Sequence, residues 1–233
     1  MLNCMSMNFL RLLILKFPLC LLLFLSVFPS VSQGNEPMSL LLVEDFESGL
    51  EKWEPTDTKA WKINKEEGNT VNSLWVKVSD YKPPYRSPHN ISLLREIQVS
   101  DFELTLRLRS TSKPYGHQSL CLFFGYQGPS KFYYVHFGKK TDAHANQIFI
   151  VNDAPRTKIS LETNDGTPWD KEWHTVRIRR NVSSGEILIF FDDMDKPVMR
   201  AVDKNFKLGQ IGIGSFDDPG DFDDIVLWGI EAD

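Results

Sequence analysis

The side chains best able to do chemistry in this 233-residue chain fall into two groups. The first is acidic. Asp45 and Glu47 flank Phe46 near the start of the strand-rich region, and Asp217, Asp218, Asp221, Asp223 and Asp224 crowd its end. Carboxylates from both ends, with turn carbonyls, are the hard oxygen donors that a calcium ion takes in sets of about 6–8. Asp45, Glu47, Asp223 and Asp224 are the expected ligands. The same acids also read as a solvated turn bonding its own amides. A third reading is a carboxylate pair about 5–9 Å apart, the arrangement that cleaves glycosides. Their spacing is not that of an EF-hand loop.

The second group lies in the middle third. Tyr134 and His136 share one face of a strand pattern, His144 follows in a loop, and Asn152 and Arg156 end the next strand. Arg107 and Arg109 project from an earlier one. A sugar ring needs an aromatic face for its C–H side and paired donors and acceptors for its hydroxyls. Tyr134, His136, His144, Asn152 and Arg156, with Arg107 as a floor, form the expected carbohydrate surface. The alternative is an outer sheet face turned to water. His117, His136 and His144 lack any familiar zinc spacing. No Gly-x-Ser-x-Gly elbow, phosphate loop or dinucleotide fingerprint occurs, so no organic cofactor is expected. Among the six tryptophans, Trp75 and Trp173 sit inside strand patterns and are expected in the core. Trp169, in a loop, either caps a sugar or anchors that loop.

These side chains need a scaffold, and its pattern is clear. After residue 40 apolar and polar residues alternate in short runs bounded by Gly, Pro, Asn and Asp. Phe102, Leu104, Leu106 and Leu108 fall on one face of Phe102–Arg109, with Glu103, Thr105, Arg107 and Arg109 on the other. Similar runs occupy 74–78, 119–126, 132–138, 147–152, 172–180, 186–192, 209–214 and 222–230. Weaker ones lie near 41–46, 60–64, 92–97 and 157–161. Such spacing predicts an all-β jelly roll, one sandwich of two antiparallel sheets. Its core is expected to hold Phe102, Leu104, Leu106, Leu108, Phe123, Val135, Phe137, Ile148, Ile150, Val176, Ile178, Ile187, Ile189, Ile211, Ile213 and Leu227. The acidic first and last strands are expected side by side.

The N-terminus reads as a secretory signal peptide. Arg11 and Lys16 precede an apolar run from Phe17 to Phe28, and small residues end at Ser32. Residues 1–32 are the expected signal, 33–40 a polar lead-in, and 41–233 the domain. The mature chain then carries 24 basic against 31 acidic side chains, a charge of −7. That balance excludes a basic footprint for nucleic acid. Export to the periplasm or beyond is expected, with no membrane insertion of the mature chain. Cys121 alone remains, in an apolar strand, and reads as a core hydrophobe.

The order of motifs resembles the concanavalin A-like lectin/glucanase superfamily. The likeness rests on Asp45-Phe-Glu47 followed by Trp53, Asp101-Phe-Glu-Leu-Thr-Leu-Arg107, Glu172-Trp-His-Thr-Val-Arg-Ile178, Ile187-Leu-Ile-Phe-Phe-Asp-Asp193, Gly209-Gln-Ile-Gly-Ile-Gly214 and Phe222-Asp-Asp-Ile-Val226. Within it, bacterial secreted laminin-G-like and 3-keto-disaccharide hydrolase-like domains look most similar. The resemblance implies a curved sheet whose concave side binds carbohydrate, and a structural calcium near the termini. The Glu-x-Asp-x-x-Glu strand of the glucanases is absent. The expected function is therefore non-catalytic glycan binding. The alternatives are a hydrolase or lyase acting on a modified sugar, with His136 or His144 as general acid or base, and an envelope adhesion module.

Overall fold

A computed structural model describes residues 37–232 apart from Glu67. The expected signal segment lies outside the described residues. The strands, in chain order, are β1 (Ser39–Glu44), β2 (Trp53–Pro55), β3 (Trp61–Glu66), β4 (Asn69–Leu74), β5 (Asn90–Leu94), β6 (Val99–Ser110), β7 (Ser119–Gly128) and β8 (Lys131–Gly138). They continue with β9 (Gln147–Asn152), β10 (Thr157–Lys158), β11 (Ser160–Thr163), β12 (His174–Asn181), β13 (Glu186–Phe191), β14 (Met199–Val202), β15 (Gln210–Ser215) and β16 (Gly220–Glu231). A 3-10 turn at Thr58–Ala60 is the one helical element among the described residues. It starts at Asp57, whose carboxylate accepts from the Lys59 amide. Among the described residues no helix is long and apolar enough to cross a membrane.

Two antiparallel sheets form. The first runs β11-β14-β13-β12-β6-β16-β4-β3, with β1 also paired to β16, and the second runs β10-β9-β8-β7-β15-β5-β2. Alternation decides which side chains face inward. On β6 the inward set Phe102, Leu104, Leu106 and Leu108 is buried, and so are the other aliphatic and phenylalanine side chains expected in the core. Most join one cluster between the sheets, where Phe102 meets Phe124 and Phe137 meets Phe191. Phe123 instead joins a second cluster on the other face of the seven-stranded sheet.

The first and last strands are neighbours, with Glu44 opposite Ile225 and Ser39 opposite Gly229. Strand β1 stops at Glu44, so Asp45 and Glu47 lie in the following turn. Phe46 takes a left-handed φ of 57° there and is fully buried.

One departure from the sequence pattern matters for function. The run 74–78 is not a strand: β4 ends at Leu74, and Trp75 and Val78 are exposed. Residues 75–89 instead form a strap carrying three prolines, which lack backbone donors for a sheet. Its Tyr81 and Tyr85 pack on the second apolar cluster. The strap is held by Asn90 Nδ2 donating to the Lys77 carbonyl (2.8 Å) and the Arg156 amide donating to the Arg86 carbonyl (3.2 Å).

Candidate ligand-binding site

The outer face of the nine-stranded sheet carries a row of crossed charges. Antiparallel pairing sets Arg109 opposite Asp221 and Arg107 opposite Asp223. Directly opposite positions share a face, so each guanidinium meets a carboxylate. Between Asp223 and Val226 the register of β16 slips by a bulge, and Asp224 takes a φ of 48°. A bulge sets two residues against one on the partner strand. Here it turns both Asp223 and Asp224 toward Arg107.

The resulting geometry is dense. Arg107 Nη2 donates to Asp223 Oδ2 at 3.0 Å, and its Nε lies 2.6 Å from Asp224 Oδ2. Asn69 Nδ2 donates to the same Asp223 oxygen at 2.8 Å. Arg109 Nη2 reaches Asp221 Oδ2 at 2.6 Å and Glu66 Oε2 at 2.8 Å. The Asp221 and Asp223 side chains are almost wholly buried, at 2% and 0% exposure, while Arg107 and Arg109 reach solvent. Burial opposes the charge on Arg109, but the bonds to Asp221 and Glu66 outweigh it and raise its pKa.

Trp173 completes the site. Val176, Ile178 and Arg180 point inward from β12, so Thr175 and Trp173 fall on the outward parity. The guanidinium carbons of Arg107 and Arg109 lie 5.1 and 4.8 Å from the Trp173 ring centroid, within cation–π range. The ring stays partly exposed. Glu66, Asn69, Arg107, Arg109 and Trp173 together line an open cleft of about 730 Å³. Ligand clefts commonly fall between about 300 and 1,000 Å³. An indole wall beside fixed donors and acceptors suits a ring with one apolar face and a polar rim.

The other expected surface residues divide. Tyr134, His136 and Arg156 do converge, on the outer face of the seven-stranded sheet. Arg156 Nη1 donates to Tyr134 Oη at 2.9 Å, and its guanidinium stacks over Phe149 and Phe216. The group is closed, however. Tyr134 is fully buried among Phe123, Phe132 and Phe149, with the strap tyrosines packed on that cluster. Its faces are taken by protein rings, not left for a sugar. His136 is 4% exposed, and its Nδ1 accepts from the Asn146 amide. Burial, reinforced by Arg156, lowers its pKa to about 3. A general base works best with a pKa near the operating pH, so this imidazole is poorly poised for proton transfer. His144 and Asn152 are exposed and stand outside the group, and Arg107 belongs to the opposite sheet.

Of the tryptophans, Trp169 takes the loop-anchor alternative, whereas Trp75 and Trp173 depart from the core expectation. Trp169 is 3% exposed, donates from Nε1 to the Phe137 carbonyl at 2.9 Å, and anchors its loop in the core. Trp173 lines the cleft, and Trp75 is 54% exposed. Strand parity already pointed Trp173 outward. The Trp75 position follows from the early end of β4, which the sequence pattern did not show.

The four carboxylates expected to hold calcium do not fit that ion as a set. Asp45 accepts from the Glu47 amide (3.1 Å) and Glu47 from the Thr70 hydroxyl (2.8 Å). Asp223 and Asp224 are turned to Arg107, which supplies the positive charge itself. Among the described residues no group of three or more His, Cys, Asp or Glu side chains could hold a metal ion.

No protein-family model matches the chain, and no curated protein matches it. Solved structures do. The carbohydrate-binding module CBM66 from Bacillus subtilis superposes with a TM-score of 0.54 at 16% identity, covering 76% of this chain and 94% of that one. Basic winged bean lectin with Tn-antigen gives 0.53 at 14% identity, covering 84% and 100%. Domain 4 of AbnA, a GH43 extracellular arabinanase from Geobacillus stearothermophilus, in complex with arabinotriose, gives 0.52 at 8% identity, covering 85% and 96%. At these identities the likeness shows the fold, a concanavalin A-like jelly roll.

Proposed function

We propose that this concanavalin A-like domain is an exported, non-catalytic carbohydrate-binding module whose ligand site is the Trp173 cleft. The observation that carries the reading is the partly exposed Trp173 ring held by two guanidiniums, each locked by acids on neighbouring strands. Fixed polar groups beside an aromatic wall lose little freedom when a polyol binds, which favours affinity. The sugar's C–H face packs on the indole. Its hydroxyls donate to Glu66 and Asp224, whose side chains are 39% and 53% exposed, and accept from Arg107 and Asn69. Two guanidiniums against four carboxylates leave the cleft net negative, which favours an uncharged glycan over a uronate or sulfated one. The fold of the carbohydrate-binding module, the lectin and the arabinanase domain supports the same reading. The apolar N-terminal run after Arg11 and Lys16 supports export.

Non-catalytic binding is favoured over hydrolysis because the buried acids of the cleft are tied to Arg107 and Arg109, and His136 is buried on the opposite sheet. The test is affinity electrophoresis of residues 33–233 through gels containing arabinan, galactan, xylan, levan, mixed-linkage glucan or pectate. Retardation by a neutral polymer, lost in Trp173→Ala, is expected. Equal mobility in every gel, or retention that Trp173→Ala leaves intact, overturns the proposal.

A further inference from the structure

We infer that the Trp173 cleft is one end of a longer track across the nine-stranded sheet, with Trp75 as a second aromatic subsite at the far end. The inference rests on the glycan reading of that cleft and adds the form of the ligand: an extended chain and not a single terminal sugar. Strand register carries it. Arg109 stands opposite Asp221, Asp221 opposite Ser73, and Ser73 opposite Lys62. Paired positions share a face, so these four side chains make one row over β6, β16, β4 and β3. With strands spaced about 4.8 Å apart, the row is roughly 14 Å long.

The row does not stop at Lys62. The Lys62 Nζ lies 5.3 Å from the centroid of the Trp75 ring. Strand β3 is the last in its sheet, so no further strand closes that end. Trp75 is 54% exposed, yet its indole is fixed, because Nε1 donates to the Lys59 carbonyl at 3.0 Å. A fixed, open aromatic ring is the feature that stacks a sugar at low entropic cost. Val78, 53% exposed, lies with Trp75, Asp57, Lys59 and Asp80 along a shallow cavity of about 210 Å³. One end of the track thus offers an indole with arginines and acids. The other offers an indole with lysines and acids, and the exposed Lys62 lies between them beside the buried Ser73. A single ring reaches only one end, whereas an oligosaccharide touches both.

Chain-length dependence tests this directly. Calorimetric titration uses arabinose through arabinohexaose, or the same ladder prepared from whichever neutral polymer of the gel panel is retained. In the wild type, affinity is expected to rise with length and then level off. Trp75→Ala removes no core contact. It should leave the shortest ligand that binds unchanged and weaken the longest roughly 3–10-fold, the worth of one aromatic stacking contact. Trp75→Phe should recover most of that loss. Equal affinity at all lengths, or an unchanged longest ligand in Trp75→Ala, overturns the track while leaving the Trp173 cleft standing. Loss of the cleft reading looks different: Trp173→Ala then fails to alter binding at any length, and the track falls with it.

Discussion

Replacing Arg109 by Ala strips a buried acid of its counter-charge, and the consequence can be worked out from the cleft. The Asp221 side chain is 2% exposed, and Arg109 supplies hydrogen bonds to it at 2.6 and 3.2 Å. Removing one partner of a buried ion pair costs about 3–5 kcal/mol, because the other charge stays desolvated and unpaired. The bond from Arg109 to Glu66 adds little, since Glu66 is 39% exposed and is served by water once released. For a domain of this size about 1 kcal/mol moves the melting temperature by roughly 2–4 °C, so Arg109→Ala should melt some 6–20 °C lower. The reverse change is milder. In Asp221→Asn the guanidinium keeps Glu66 and its 19% exposure. Expected order of stability is therefore wild type, Asp221→Asn, then Arg109→Ala, with the double variant Arg109→Ala/Asp221→Asn above Arg109→Ala alone. Urea unfolding of the four proteins measures the coupling as a double-mutant cycle. A loss under about 1 kcal/mol in Arg109→Ala, or strictly additive effects, refutes the view that the cleft floor is a desolvated ion pair.

Two further outcomes follow from the site. His136 titrates near 6.5 when unfolded, but burial lowers its folded pKa to about 3. The unfolded state then binds more protons, so this group's stabilising contribution is full above about pH 6.5 and is lost as pH falls toward about 3. Melting curves from pH 7 to 4 should fall more steeply for wild type than for His136→Gln, and parallel slopes contradict the assignment. EDTA or added calcium should leave the melting temperature unchanged, because Asp223 and Asp224 are already paired with Arg107. A rise of several degrees with calcium would restore the terminal ion site, since a ligand of the native state alone stabilises it.

Architecture was legible because burial imposes a period of two on every strand. The outward set on β6 and the inward Val176 and Ile178 on β12 follow from alternation alone. The meeting of the terminal strands was readable from their matching acidic ends. The site was harder, for three physical reasons. Alternation fixes which face a residue occupies but not which strands are neighbours, so the pairing of Arg107 with Asp223 was invisible, as was the bulge that adds Asp224. Tyr134 and His136 were assigned to the correct face, but that face is closed by the strap at 75–89, whose prolines and tyrosines read as an ordinary loop. Strand β4, Asn-Thr-Val-Asn-Ser-Leu, is buried yet largely polar, so hydrophobic patterning passed over it. Missing β4 misplaced Trp75, treated as a strand residue when it stands just past the strand's end.

On the proposed reading, sugar meets this protein at Trp173 beside Arg107 and Arg109. Titrating the isotopically labelled domain with the retained glycan, and following indole and guanidinium N–H resonances by NMR, tests it most directly. The Trp173 Nε1–H and the Arg107 and Arg109 Nε–H signals are expected to move first and saturate together. Perturbations centred on Asn152 and Arg156, with the Trp173 signal unmoved, would contradict it.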